Sequence, residues 1–501
     1  MFYLEMKKVV ILFLLVMFSM LSFSQLSVFD KHMQFNQKTD VHPITINEEI
    51  GLSLVFIAGK NIDVVYLDAD HKFQQEISLK RLSSTTKQYI GSYIMDSTLV
   101  LSFTDKKMVN YSRLSVNLET GKYSEDNFEL GKINQKYLTS WEIEDSLYVL
   151  SIEEKSDNLI LNKFFGYGEN SVLRYDLNKN DAFYKIWTKS LYNIFSSENG
   201  KLKKMIGNIP VSLYLTSSQN KAYLNGNNIE ITFDHNPGAT YLLSLGIYDG
   251  SVSITEFVID SLVESELSTS NSFIYENTLF QLSISRNDLQ LSIQNLLDNK
   301  SEKTLTVNRG DKISFANSSI VRRHEKEGFL YGNAVIRNIK KTKKFLKFAS
   351  VMKPSITVFK NKSTLQLKIG AVEEVQQAGG VSANTLMVAG GFLSAGMGDN
   401  LLMPEPVYYF PSNYSFTSYL SNKSVYFSSV LSSESYSHLT KPITKYTINF
   451  IVDYANLLPG NHGMVTIFKF KGDYYLGYYT YGSNTYNIEW FKNVDDYSIQ
   501  Y

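Results

Sequence analysis

The feature that most limits what this chain can fold into is an alternation of apolar and polar residues with a period of two. Ile229-Ile231-Phe233, Leu99-Leu101-Phe103 and Leu289-Leu291-Ile293 each alternate with polar neighbours, as half-buried strands do. Capped helical stripes are scarce. Between the strands stand Glu119-Thr120-Gly121, Asn178-Lys179-Asn180, Asp249-Gly250 and Asp298-Asn299-Lys300, residues that tolerate positive φ or bond their own backbone in turns. The resulting hairpins come in two kinds. One is a short strand, a polar pair and an apolar strand: YIMDSTLVLSF from Tyr93, WEIEDSLYVLSI from Trp141, YLNGNNIEITF from Tyr223 and FIYENTLFQLSI from Phe273. The other ends in a looser, more polar strand, as in LSVNLETGKYSEDNFEL from Leu114 and LGIYDGSVSITEFVI from Leu245. Two hairpins make a four-stranded unit, and the unit recurs about every 50 residues.

That pattern resembles the β-propeller superfamily, whose blades are four-stranded meanders covered only by neighbouring blades. The resemblance lies in the strand pattern alone. No WD dipeptide, Kelch double-glycine or aspartate-box repeat is present. The expected fold is all-β, a single β-propeller of about seven four-stranded blades. Units are read at 43–80, 89–130, 138–190, 218–262, 271–308 and 328–372, with the C-terminal aromatic strands supplying the last. Two or three β-sandwich domains are the alternative, since they also give short strands at regular spacing. An open ring would leave two unpaired sheet edges. Residues between Leu26 and Ile46 are therefore expected to complete the C-terminal blade.

The start of the chain resembles a bacterial secretory leader. Lys7-Lys8 precede an apolar run from Val9 to Leu21, and Ser22 and Ser24 are the small residues before Gln25. A signal peptide over 1–24 and a propeller domain over 25–501 are expected, exported to the periplasm or the exterior. Gly370 to Pro406, rich in small residues, reads as an insertion packed on one face. Within it, Thr385–Met403 is broken by Asp399, Asn400 and four glycines, so no membrane span is expected in the mature chain.

Composition excludes several function classes. Hydrophobic residues make up 44% and charged residues 20%, which argues against disorder. Lys plus Arg and Asp plus Glu are both 49, so the net charge is zero and the overall attraction that drives nucleic-acid binding or adhesion to an acidic membrane surface is missing. No cysteine is present, hence no disulfide, thiolate metal site or cysteine nucleophile.

Chemical motifs are few. None of the seven histidines, His32, His42, His71, His235, His324, His438 and His462, pairs with another at ligand spacing. Asp68-Ala69-Asp70-His71 sits where a turn is needed. Asp176–Asp181 begins like a calcium loop but lacks its glycine and bidentate glutamate. Ser394 has Phe392 where a nucleophile elbow needs glycine. Arg322-Arg323-His324 and Lys340–Lys344 are basic clusters read as solvated surface. No catalytic residue, metal or cofactor is assigned. The candidate binding residues are Tyr478, Tyr479, Tyr481 and Trp490, in the run YYLGYYTYGSNTYNIEWF from Tyr474, where one strand face could present rings to a sugar or protein. The functional expectation is a monomeric, secreted, non-enzymatic binding or scaffold protein of the cell envelope. It would grip an envelope protein or extracellular polysaccharide through loops on one propeller face. The alternative is a propeller hydrolase or lyase acting on polysaccharide.

Overall fold

Alternate residues of single strands feed two different cores. In Gly51–Ala58, Leu52, Leu54 and Phe56 join a cluster with Phe468, Tyr475 and Ile488 near the C-terminus. Val55 and Ile57 join another with Leu99, Leu101 and Phe103. The next sheet repeats the trick: Leu99, Leu101 and Phe103 look back, while Val100 looks forward to Leu147 and Val149. Period two thus buries both faces of a sheet, and a ring of sheets is the arrangement that leaves neither face wet.

The computed structural model describes residues 25–35, 39–47, 49–131, 133–177, 190–197, 202–206, 209–259, 269–324, 335–373, 423–455, 457–458 and 462–493. Their strands form seven sheets, five of which run in chain order, and the protein is a single β-propeller of seven blades. The inner strands, in order, are Asp40–Asn47, Gln88–Met95, Gln135–Ile143, Asn220–Asn225, Thr269–Tyr275, Lys353–Asn361 and His462–Phe470. The opposite edge of each sheet is its polar, exposed strand, such as Tyr123–Glu129 in blade 2. In blades 2 to 6 the turn leaving the inner strand has two residues. The first of them adopts positive φ: Asp96, Glu144, Gly226, Glu276 and Lys362. A turn of that hand matches the twist of the strands it joins.

The ring closes through the N-terminus. Gln25–His32 is the outer strand of blade 7, antiparallel to Thr485–Phe491, with Gln25 opposite Phe491 and His32 opposite Thr485. Ile44–Ile46 does not take part; it lies on the inner strand of blade 1.

Blade 6 departs from the expected order. Lys353–Asn361 is innermost, followed outward by Thr364–Val372, Ser424–Ser432, Ile320–His324 and Val335–Ile339. Gly370 to Val372 are therefore strand, not insertion, and Val372 pairs with Ser424. The rest of the expected insertion, like the leader at 1–24, lies outside the described residues.

Four helices are described: α1 (Leu191–Ser196), α2 (Leu213–Thr216), α3 (Thr342–Ala349) and α4 (Thr447–Ala455). No described helix is long and apolar enough to cross a membrane. The described residues between α1 and α2, 202–206 and 209–212, lie inside the ring. Lys203–Lys204 adds a short parallel pairing to the inner strand of blade 4. The Lys204 ammonium donates to the Ser140 carbonyl of blade 3 at 2.8 Å. Ile209 joins the apolar cluster of blade 7 and α4. Thr216 of α2 meets Ser355 on the inner strand of blade 6 at 2.6 Å. Only a segment within the channel can touch blades that far apart.

Candidate functional site

All seven inner strands begin at the same mouth of the ring, and every one begins with a polar residue: Asp40, Gln88, Gln135, Asn220, Thr269, Lys353 and His462. Several are fully engaged in the scaffold. The Gln135 Oε1 accepts the Ser151 hydroxyl at 2.6 Å, and Asn220 Oδ1 lies 2.8 Å from His235 Nε2. Asp40 is different. Among the described residues its carboxyl meets no cation and no hydrogen-bond donor, and burial pushes it up to about 7. His42 lies two residues on, hence on the same face of the strand and about 7 Å along it. Its ring stands 4.4 Å from that of Tyr89 on the inner strand of blade 2. Burial lowers its imidazole to about 4. One residue before Tyr89, the Gln88 amide nitrogen is also buried with no acceptor.

A buried polar group without a partner is uncommon and asks for a reason. Here the arrangement places a carboxyl near its titration midpoint at neutral pH beside an imidazole that stays neutral. A general acid–base group works best in that state. The sequence held a faint signal. Asp40 and His42 share the parity of Ile44 and Ile46, so two titratable groups occupy the apolar side of a strand.

A second set of perturbed groups lies deeper. Burial lowers Lys204 to about 8, offset in part by Glu142. Its ammonium stands 5.8 Å from the Trp141 ring centre. Burial raises Glu142 as well, to about 7, against the pull of Lys204, although the residue stays exposed and water tempers that shift. This set holds the interior segment to blade 3 and is read as structural.

The four aromatic residues singled out by the sequence do not form an exposed platform. Tyr479 is fully buried and donates to the Met33 carbonyl at 2.7 Å. Tyr478 is buried on the opposite face, its hydroxyl 3.2 Å from Glu489. Tyr481 is half-buried and meets the Tyr479 ring at 5.1 Å. Trp490 is half-buried too and donates its indole N–H to Asp473 at 2.9 Å. Both faces of a blade are covered by neighbours, so alternation along this strand leads to two cores rather than to one core and solvent.

Asp68–His71 forms a turn, with the Asp68 carboxylate accepting the N–H groups of Asp70 and Lys72 at 2.9 Å each. Most of the calcium-like stretch and all of the Ser394 region lie outside the described residues. Among those described, no group of three or more histidine, cysteine or carboxylate side chains is placed to hold a metal ion.

No family model matches the chain, and no curated protein does. Solved structures do. Cobalt-substituted Synechocystis ACO is 8% identical with a TM-score of 0.28, over 54% of this chain and 62% of that one. A mutant of Synechocystis apocarotenoid oxygenase is 9% identical with a TM-score of 0.29, over 55% and 63%. An ACO/RPE65 chimera gives 8% and 0.28, over 54% and 62%. This chain thus spans less than two thirds of each. Such likeness transfers no residue and no reaction. It does correct one expectation. The structures are oxygenases or their chimeras, so the likeness gives no support to a non-enzymatic envelope scaffold, nor to a polysaccharide hydrolase or lyase. Both readings are withdrawn. The inference behind them failed because a propeller gathers its groups from separate blades, which no local motif reveals.

Proposed function

We propose that this protein is an enzyme that moves protons on a small polar substrate held at the channel mouth. Asp40 is the group that takes up and returns the proton. His42, neutral at physiological pH, lies beside it, and Tyr89 walls the site. The single observation that carries this reading is the Asp40 carboxyl, unpaired and raised to about 7 at the start of an inner strand. No nucleophile or redox group is needed for such a step.

The test is isotope exchange. Native protein is incubated in heavy water with a panel of small hydroxy- and keto-compounds, and deuterium uptake is followed by mass spectrometry. Exchange into at least one compound is expected, and Asp40→Asn should slow it by about a hundredfold or more. Equal exchange by the variant, or none by native protein, overturns the reading.

The proposal includes export. Cleavage before Gln25 would leave the outer strand of blade 7 whole, because that strand begins at Gln25.

A further inference from the structure

The chain is neutral overall, yet its charge is not spread evenly. Between Val321 and Lys368 the sequence holds thirteen lysines and arginines and only two carboxylates, Glu325 and Glu327. The fold brings the two basic clusters of that stretch together. Ile320–His324 and Val335–Ile339 pair antiparallel at the outer edge of blade 6, with Arg322 directly opposite Arg337. α3 follows at once and packs against that strand and against Thr364–Val372 and Ser424–Ser432. It buries Phe345, Leu346 and Ala349, which turns Lys343, Lys344 and Lys347 outward. The Arg322 guanidinium stacks on the Phe348 ring of the helix at 3.9 Å, tying strand and helix into one surface.

Arg337, Lys340, Lys341, Lys343, Lys344 and Lys347 are all exposed, and none has an ion-pair partner among the described residues. Elsewhere the protein does pair such groups, as in Lys360–Glu276 at 3.1 Å and Lys423–Glu373 at 3.2 Å. Like charges placed opposite one another on a strand pair repel. Burial, and then Arg323, also hold the nearby Lys368 ammonium below its usual range. Among the described residues, the edge of blade 6 therefore carries repulsion with no internal counter-charge. Two large apolar side chains also stand exposed at this edge: Ile336 at 65%, on the strand face opposite Arg337, and Val351 at 66%, just past the end of α3.

We propose that the outer edge of blade 6 is a docking surface for an anionic phospholipid bilayer. The cations supply the attraction to lipid headgroups, and Ile336 and Val351 enter the headgroup boundary. Exposed apolar residues among cations favour a lipid surface over a soluble polyanion, which offers them nothing to bury against.

The experiment is co-sedimentation of the full chain with phosphatidylcholine vesicles carrying roughly a third phosphatidylglycerol. Binding is expected to these vesicles, to fall when salt is raised, and to be absent with phosphatidylcholine alone. Lys343→Gln/Lys344→Gln/Lys347→Gln should weaken it about a hundredfold. Ile336→Ser/Val351→Ser should weaken it at unchanged charge, and Lys106→Gln/Lys107→Gln, on another blade, should leave it intact. The inference is overturned if the triple variant binds as native protein does, or if phosphatidylcholine vesicles bind equally well. It is also overturned if heparin or single-stranded DNA is held as tightly as the vesicles and the Ile336/Val351 variant binds normally. All seven substituted residues are surface positions, and an unchanged melting temperature separates lost binding from lost fold.

Discussion

The Tyr479 hydroxyl donates to the Met33 carbonyl at 2.7 Å, across 446 residues of sequence. Phe35 stacks nearby, 5.2 Å from the Tyr479 ring and 4.5 Å from Phe56. The first residues of the fold are thus held by the last blade and by blade 1 together. Tyr479→Phe should cost about 1–2 kcal/mol, since it strips a buried carbonyl of its donor. Removing 25–35 should do more, opening an edge on blade 7. Hydrogen exchange of Val465–Phe491 measures it: protection is expected to collapse in the truncated protein and to fall slightly in Tyr479→Phe.

Stability should depend on pH through the channel mouth. The Asp40 carboxyl titrates higher folded than unfolded, so the folded state binds more protons between about pH 4 and 7. Its contribution is complete below that window and is lost as pH rises through about 7. His42 works the other way: its folded value is depressed, so its contribution is present above about 6.5 and lost as pH falls towards 4. The two oppose each other in the acid range, and Asp40 alone remains near neutrality. Asp40→Asn should therefore be the more stable protein at pH 8, by about 1–2 kcal/mol once water at this half-buried carboxyl is allowed for. Urea unfolding of both proteins at pH 5 and pH 8 gives the comparison; a gain that is larger at pH 5 contradicts it.

Blades 4 and 5 are joined by a buried ion pair. Lys221 lies 2.6 Å from Asp234, with both side chains fully buried, and also donates to Ser218 and Asn271 at 2.7 and 2.8 Å. Asp234 further accepts Thr240 and Ser272 at 2.7 and 3.0 Å. Lys221→Met alone should cost about 3–5 kcal/mol, because it strands a buried carboxylate. Lys221→Met/Asp234→Leu should recover part of that loss. Equal stability of single and double variants in denaturant titration would show that the carboxylate is not the source of the cost.

Export predicts that the mature protein begins at Gln25, which is open to cyclisation. N-terminal sequencing of secreted protein checks it. A terminus at Met1 or Met6 on exported material is the contrary outcome.

The legible part of this fold was the part built from local rules. Two-residue turns such as Asp96-Ser97 and Glu144-Asp145, set between alternating strands, mark the starts of blades 2 to 5 to within a few residues, although the unit read at 138–190 runs past the last strand of blade 3 at Tyr175. Blade 6 was not legible. Its inner strand follows its outer hairpin in the chain, and its second and third strands, paired at Val372 and Ser424, are far apart in sequence. The interior segment was hidden for a related reason. Lys204, Ile209 and Thr216 each answer to a different blade, so no period connects them. The tyrosines misled because alternation reports that a strand has two faces and not whether both are covered. Asp40 and His42 were overlooked because their meaning comes from burial at the mouth, where seven strands from the whole chain begin together.

The segment from Leu191 to Thr216 sets an order of assembly. It leaves the ribosome before blades 4 to 7, three of which supply its contacts, so those blades must be laid down around a filler already made. The outer strand of blade 7, in contrast, precedes every other described strand and waits for its partner until Thr485–Phe491 is made. A growing chain therefore carries an unmatched strand at its front and an unwrapped filler at its middle. The first finds shelter only when Thr485–Phe491 arrives, which makes that strand the latch of the ring.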